Sequence, residues 1–205
     1  MSEYRVDSYF LEKKTIQEAV GSGSQELKDK LVVQSKIISE FSERFSGKAL
    51  KDAAIELIDG NIEGFPFHYS FSAWALVDLL SESRPDHPYI GYPFVDLYDF
   101  VEILEGDDIY PKLKDVFESL NGMNSTFDLP IDIGEWGDMP CITYLETVDD
   151  TMAEEARQMK KDIKNEEDWT FDFDNDLEDI EQILDWLLQA NKEGKSLCLV
   201  LEGDL

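Results

Sequence analysis

The chain has 205 residues, of which 42% are hydrophobic and 12% aromatic, enough to form a sizeable core. It carries 18 basic and 46 acidic side chains, so its net charge is −28. A surface this negative repels nucleic acid and anionic lipid and attracts cationic partners. We therefore expect no nucleic-acid partner and no membrane partner.

The excess of acids begins after the first quarter of the chain. Residues 1–51 contain nine basic and eight acidic side chains, whereas residues 52–205 contain nine and 38. The N-terminus lacks the basic start and apolar run of a secretory signal, and no apolar stretch approaches the roughly 18 residues of a membrane-spanning helix. Two cysteines, Cys141 and Cys198, lie in apolar runs and predict buried free thiols. We expect a cytoplasmic protein.

The first half of the chain predicts one strand and four helices. Ser22 or Ser24 offers an N-cap for the second helix, whose apolar residues recur at three-, four- and seven-residue spacings. The fourth helix is apolar on most of its circumference, which is typical of a helix in the middle of a core. The predicted elements are a short strand or extended segment near Tyr4–Phe10 and helices over Glu12–Val20, from Ser22 or Ser24 to about Phe45, over Lys48–Ile58 and over Tyr69–Leu80.

The second half predicts four helices and two strands. The loop over residues 83–93 precedes them, punctuated by three prolines and a glycine. The predicted elements are helices over Phe94–Leu104 and Pro111–Leu120, a strand over Cys141–Glu146, a helix capped by Thr147 or Asp149 and ending near Lys164, a helix over Leu177–Lys192, and a strand over Ser196–Leu201. We predict a single α+β domain over residues 1–205, mostly helical, with a small β-sheet that includes the C-terminal strand.

An acidic segment with interleaved aromatic residues occupies residues 166–181, which contain nine acids and no Lys or Arg. One interpretation is a solvated loop whose aromatic side chains seal the core. The other is a docking surface, with aromatic anchors inside a charged rim. The candidate partner-binding residues are Trp169, Phe171, Asp172, Phe173, Asp174, Asp176, Glu178 and Asp179.

The same segment has part of the spacing of a calcium-binding loop. Asp172, Asp174 and Asp176 fall at positions one, three and five of an EF-hand. Leu177 stands where the turn needs glycine, and Ile183 stands where the bidentate glutamate belongs. We therefore predict no dedicated metal site.

The sequence contains few residues of the kinds that form catalytic motifs. His68 and His87 are the only histidines, so a catalytic triad or a multi-histidine metal site lacks its residues. Gly21 and Gly23 follow a predicted helix rather than a strand, so they do not form a dinucleotide-binding loop. We assign no catalytic residue and no cofactor. The enzymatic alternative is a small hydrolase-like protein that uses carboxylates near His68 and Tyr69.

The order of the segments resembles a known family. The resemblance is carried by the first strand, by glycines before a long helix, by an aromatic helix with Trp74, by the PCITYL run over residues 140–145, and by a last helix and apolar strand. This layout is similar to the bacterial domains grouped around the YfbM-like family. The resemblance implies a compact α+β cytoplasmic protein of bacterial type. It supplies no catalytic motif to carry over.

Three functions remain open on these observations. The first is an interaction protein that binds and neutralises a basic protein partner, such as an immunity protein for a basic toxin. The second is the hydrolase-like enzyme, and the third is an acidic mimic of DNA. The charge is also compatible with a role in solubility alone.

Overall fold

The computed structural model describes residues 4–41, 47–61, 69–91, 110–122, 126–131, 140–165 and 176–203. These residues form four strands and eight helices. The strands are β1 (Tyr4–Phe10), β2 (Tyr89–Ile90), β3 (Cys141–Leu145) and β4 (Leu197–Gly203). The helices are α1 (Lys13–Ala19), α2 (Gln25–Gln34), α3 (Lys36–Phe41), α4 (Gly47–Asp59), α5 (Tyr69–Leu80), α6 (Pro111–Leu120), α7 (Asp150–Asn165) and α8 (Asp176–Glu193).

The four strands form one antiparallel sheet in the order β2-β1-β4-β3. The two central strands come from opposite ends of the chain and pair over seven residues, from Tyr4↔Gly203 to Phe10↔Leu197. The predicted α+β class, mostly helical with a small sheet that includes the C-terminal strand, is therefore confirmed. No helix in the described ranges is both long and apolar enough to cross a membrane.

The sheet lies between two layers of helices, because successive side chains of a strand point to opposite faces. On one face, residues such as Val6, Phe10 and Leu199 join a core with α6, α7 and α8. On the other face, Tyr9 and Val200 join a core with α1 to α5. The sheet thus separates two apolar cores.

Helix α5 lies in the middle of the second core, as its apolar circumference predicts. Its residues from Ser70 to Val77 are buried. The ring of Trp74 is fully buried, and its Nε1 donates a hydrogen bond of 2.8 Å to the hydroxyl of Tyr9. This bond ties the centre of α5 to the C-terminal end of β1.

The prediction of a single helix from residue 22 or 24 to about Phe45 is wrong, because the helix is interrupted at Ser35. That residue has an extended backbone (φ −67°, ψ 114°), and its Oγ accepts the N–H of Ile38 at 3.2 Å. The side chain thereby caps the start of α3, whose apolar residues Ile37, Ile38 and Phe41 are buried. Ser24, rather than Ser22, caps α2 by accepting the N–H of Leu27 at 3.3 Å.

In the second half of the chain, the structure agrees with some of the predicted elements and differs from others. Asp149, rather than Thr147, caps α7 through the N–H of Met152 at 2.8 Å. The helix predicted over Phe94–Leu104 lies outside the described residues. Strand β2, which falls within the predicted loop, was missed because it has two residues and is fixed by its pairing with β1.

The two thiols are both free, as predicted, but they differ in burial. Cys198, in the central strand β4, is fully buried, and this burial raises the pKa of its thiol well above the usual range. Cys141, in the edge strand β3, is only partly buried. The expectation of buried thiols is therefore right for Cys198 and wrong for Cys141, because an edge strand is covered on fewer sides.

Candidate functional site

The predicted docking surface lies mostly outside the described residues. Asp176 begins α8, but its side chain also lies outside them. The structure describes the side chain of Glu178, which is exposed, and that of Asp179, which is partly buried. The predicted residues outside the described ranges are Trp169, Phe171, Asp172, Phe173 and Asp174.

The first half of α8 keeps a negative surface. Lys160 of α7 faces it, with its Nζ 2.5 Å from Asp185 Oδ1 and 3.8 Å from Glu181 Oε2. Glu178 makes no hydrogen bond or ion pair within the described ranges. Helix α8 contains six acids and one lysine, so its charge is not neutralised by its own sequence.

The calcium-loop spacing is incompatible with the packing of α8. Ile183, at the position of the bidentate ligand, is fully buried in the core with α6 and α7. Leu177, at the glycine position, packs against the same core. Within the described part of the chain, no group of three or more His, Cys, Asp or Glu side chains could hold a metal ion.

The side chains named for the hydrolase-like alternative lie outside the described part of the chain. His68 lies outside the described residues, and Tyr69 begins α5 with a side chain that lies outside them as well. His87 is exposed in the loop before β2, with a positive φ of 48°. Its carbonyl accepts a hydrogen bond of 3.0 Å from Trp186 Nε1. These contacts give His87 a place in loop packing rather than in a catalytic arrangement.

A cleft of about 340 Å³ lies where the start of α1, the end of β3 and residues 126–130 meet. Neither its position nor its residues were predicted. Its lining combines two carboxylates, one amine, two threonine hydroxyls and apolar walls, and consists of Lys13, Thr126, Phe127, Asp128, Pro130, Tyr144, Leu145, Glu146 and Thr147. Such a mixture of apolar walls and a few polar groups is typical of binding sites.

The segment over residues 126–131, which runs beside β3, is held in place because alternate residues of it are buried. Leu129 and Ile131 are buried in the core with α5, so they anchor the segment from beneath. The N–H of Tyr144 donates a hydrogen bond of 2.6 Å to the carbonyl of Phe127, which fixes the segment along the edge of β3. As a result, Asp128 and Pro130 line the cleft.

The charges of the cleft are one amine and two carboxylates. Lys13 Nζ lies 2.6 Å from Glu146 Oε2, and these side chains are 41% and 59% exposed. Partial burial raises the pKa of Asp128 above its usual value.

A second charged cluster surrounds Asp7 in the central strand β1. This carboxylate is 1% exposed and accepts hydrogen bonds from Arg5, at 2.6 Å, and from Arg84. Arg84 Nε also donates to the carbonyl of Ser8 at 3.0 Å, and its guanidinium lies 4.2 Å over the ring of Tyr9. Burial raises the pKa of Tyr9 far above its usual range, so its hydroxyl stays protonated.

The Asp7 cluster is satisfied by its own partners, whereas the cleft presents polar groups to solvent. The cleft is therefore the better candidate for binding. It is built from residues far apart in the chain, since Lys13 and Glu146 are separated by 133 positions. The alternation of apolar and other residues over positions 127–131 is the only sequence pattern that indicates a part of the cleft.

Comparisons with protein-family models, with curated proteins and with solved structures find no match. The resemblance to the YfbM-like family therefore stays a prediction.

Proposed function

We propose that this protein is an acidic interaction protein that binds and neutralises a basic protein partner, as an immunity protein does. The observation that carries this proposal is the uncompensated charge: −28 in all, with nine acids and no base over residues 166–181. Within the described part of this run, the side chain of Glu178 is exposed, whereas those of Asp179 and Glu181 are partly buried. Opposite fields on two proteins raise their association rate by about 10 to 10³-fold.

The proposed docking surface consists of the eight partner-binding residues named from the sequence. Its aromatic members, Trp169, Phe171 and Phe173, are proposed as the anchors and the acids as the rim. The described neighbourhood supports this assignment, because Lys160 pairs with acids farther along α8, and Glu178 has no ion pair with a residue that the structure describes. We also propose that both proteins meet in the cytoplasm of a bacterial cell.

The first test is the salt dependence of binding. The tagged protein is purified from its own cells, the protein bound to it is identified and expressed, and the association rate is measured at about 0.1 M and about 1 M salt, where screening lengths are roughly 10 Å and 3 Å. We expect a basic partner whose association slows steeply as salt is added. An association rate that is the same at both salt concentrations contradicts the proposal.

The second test separates the docking surface from the overall charge. One variant replaces Asp172, Asp174, Glu178 and Asp179 by their amides. The control replaces four acids elsewhere, Glu18, Asp29, Asp52 and Glu82, which are exposed, and gives the same net charge. We expect the first variant to slow association about tenfold and the control by about twofold, because only close charges escape screening. Equal slowing would mean that residues 166–181 are not the docking surface.

A further inference from the structure

We propose that the cleft lined by Lys13, Asp128 and Glu146 receives an arginine side chain of the basic protein partner. This inference rests on the proposed function and adds a second contact point, distinct from residues 166–181. It assigns a ligand class to a site that no motif in the sequence indicates.

The lining of the cleft has the chemistry that an arginine side chain needs. A guanidinium is planar and carries five N–H donors without an acceptor. The cleft offers it carboxylate oxygens from Asp128 and Glu146 and hydroxyl oxygens from Thr126 and Thr147. Phe127 and Pro130 provide apolar walls against which the methylene stem of the arginine can pack.

The charge of the cleft also favours a cation. Two carboxylates and one amine line it, so one negative charge is left over. Asp128 is exposed overall, and the limited burial of its carboxyl group raises its pKa above the usual value, so an incoming guanidinium would stabilise its charged form. An anionic ligand would meet both carboxylates and is therefore disfavoured.

Lys13 occupies the position of the proposed ligand in the free protein. Its Nζ lies 2.6 Å from Glu146 Oε2, but both side chains are substantially exposed, and an exposed ion pair of this kind contributes little to stability. A guanidinium can bind a carboxylate through two parallel hydrogen bonds, which an ammonium cannot do. We therefore expect the partner's arginine to displace Lys13 into solvent at small cost.

The first experiment uses two short peptides as probes. The isotopically labelled full-length protein is titrated in the NMR spectrometer with acetyl-Gly-Arg-Gly-amide and with the matching citrulline peptide, which has the same shape without the charge. We expect the arginine peptide alone to shift the backbone amides of Asp128, Glu146 and Thr147. Equal shifts with both peptides, or no shifts at these residues, would overturn the inference.

The second experiment compares charge changes inside and outside the cleft. Glu146→Gln should weaken binding of the arginine peptide about tenfold, the factor that corresponds to about 1.4 kcal/mol. Lys13→Gln should strengthen it several-fold, because the internal competitor is gone. The matched controls are Glu18→Gln and Lys14→Gln, which lie on α1 with side chains 68% and 83% exposed and make the same charge changes outside the cleft.

The controls decide between a site and a general charge effect. Unchanged affinity in both controls supports the cleft, whereas Lys14→Gln matching Lys13→Gln would overturn it. All four positions are exposed in part, so the variants are expected to fold.

The partner distinguishes this inference from the proposed function. If Glu146→Gln leaves partner binding unchanged while the amide variant of residues 166–181 weakens it, the cleft inference fails and the proposed function stands. If the arginine peptide binds at the cleft but no basic protein binds at all, the proposed function fails and the cleft remains a site for arginine.

Discussion

Asp7 shows how a single charged residue is accommodated inside a small sheet. A buried carboxylate that lacks a partner costs several kcal/mol, so its neighbours must compensate it. Arg5 and Arg84 do so from two directions, one from the same strand and one from the loop before β2. Because Arg84 also donates to the carbonyls of Ser8 and Pro88, it fastens that loop to β1.

We predict that Arg84→Ala lowers the free energy of unfolding by about 3 kcal/mol, since it removes one partner of a buried carboxylate. Arg84→Lys keeps the charge but loses the forked geometry, so it should cost roughly half as much. Urea denaturation measures both. Arg157→Ala, which breaks an exposed pair with Glu154, is the control and should change stability by less than about 0.5 kcal/mol. A similar loss of unfolding free energy in all three variants would show that the Asp7 cluster contributes no more to stability than an exposed ion pair.

Asp78 in α5 makes a pH-dependent contribution to stability. Burial raises its pKa in the folded protein, outweighing attraction to Arg84, Lys36 and Arg5, while Asp7 raises it further. A carboxyl group whose pKa is raised by folding contributes stability that is fully present below its unfolded pKa and is lost as the pH rises through its folded pKa.

We therefore predict that Asp78→Asn is more stable than the natural protein at pH 7 and that the difference disappears as the pH falls below about 4, near the pKa of an unfolded Asp. Thermal unfolding at several pH values tests this. Asp52→Asn, at an exposed position, should show no such trend. A variant at residue 78 that is less stable at pH 7 would mean that attraction to the arginines outweighs burial.

At the scale of elements, the end of α4 is joined to the loop between α1 and α2. The carbonyls of Leu57 and Ile58 accept the N–H groups of Gly21 and Gly23 at 3.1 and 2.8 Å, so the last turn of the helix is capped from another element. Gly60 has a φ of +74°, and a Cβ there would lie 3.0 Å from the Cα of Gly21. The close approach of the two backbones requires glycine at this point.

We predict that Gly60→Ala costs about 2 to 3 kcal/mol of unfolding free energy, combining the left-handed backbone penalty of about 1 to 2 kcal/mol with the backbone clash. Gly194→Ala is the matched control. It has a similar φ of +63° but nothing within 4 Å of the added Cβ, so it should show the backbone penalty alone. Chemical denaturation of the two variants separates the terms, and equal losses would contradict a contact with Gly21.

Local patterns in the sequence predict many of these elements. The bounds of β1, α5 and α6 agree with the prediction because each depends on residues that are close in sequence, such as the apolar run of α5 and the proline at the start of α6. The break at Ser35 was not predicted, since a serine inside an apolar stripe is compatible with either a continuous helix or a cap. Strand β2 was not predicted because its two residues form a strand only through pairing with β1.

At the scale of the whole molecule, the net charge is −28, so the acidic side chains repel one another in the compact folded state. Few bases are available to offset it, and several ion pairs, such as Lys13–Glu146 and Lys14–Glu18, are on the surface. The folded state is therefore held by its two apolar cores against this repulsion.

We predict that raising NaCl from about 0.01 M to about 0.5 M increases the thermal midpoint by several degrees, because the screening length falls from roughly 30 Å to a few ångströms. Differential scanning calorimetry provides the measurement. Sucrose at equal osmolality separates screening from solvent exclusion, and the amide variant of residues 166–181 should respond less to salt. A midpoint that falls with salt would indicate that attractive ion pairs dominate.

The sequence by itself determined the class of the protein: its charge, the strands at its two ends and the apolar helix Tyr69–Leu80, because each depends on composition or on neighbours a few residues away. Only the tertiary structure decided that β1 lies beside β4, that Asp7 pairs with Arg84, and that Lys13 pairs with Glu146 in the lining of a cleft. The two residues of the Asp7–Arg84 pair are 77 positions apart in the sequence, and those of the Lys13–Glu146 pair are 133 positions apart. No local periodicity encodes such contacts, since they form when two apolar cores pack against opposite faces of one sheet.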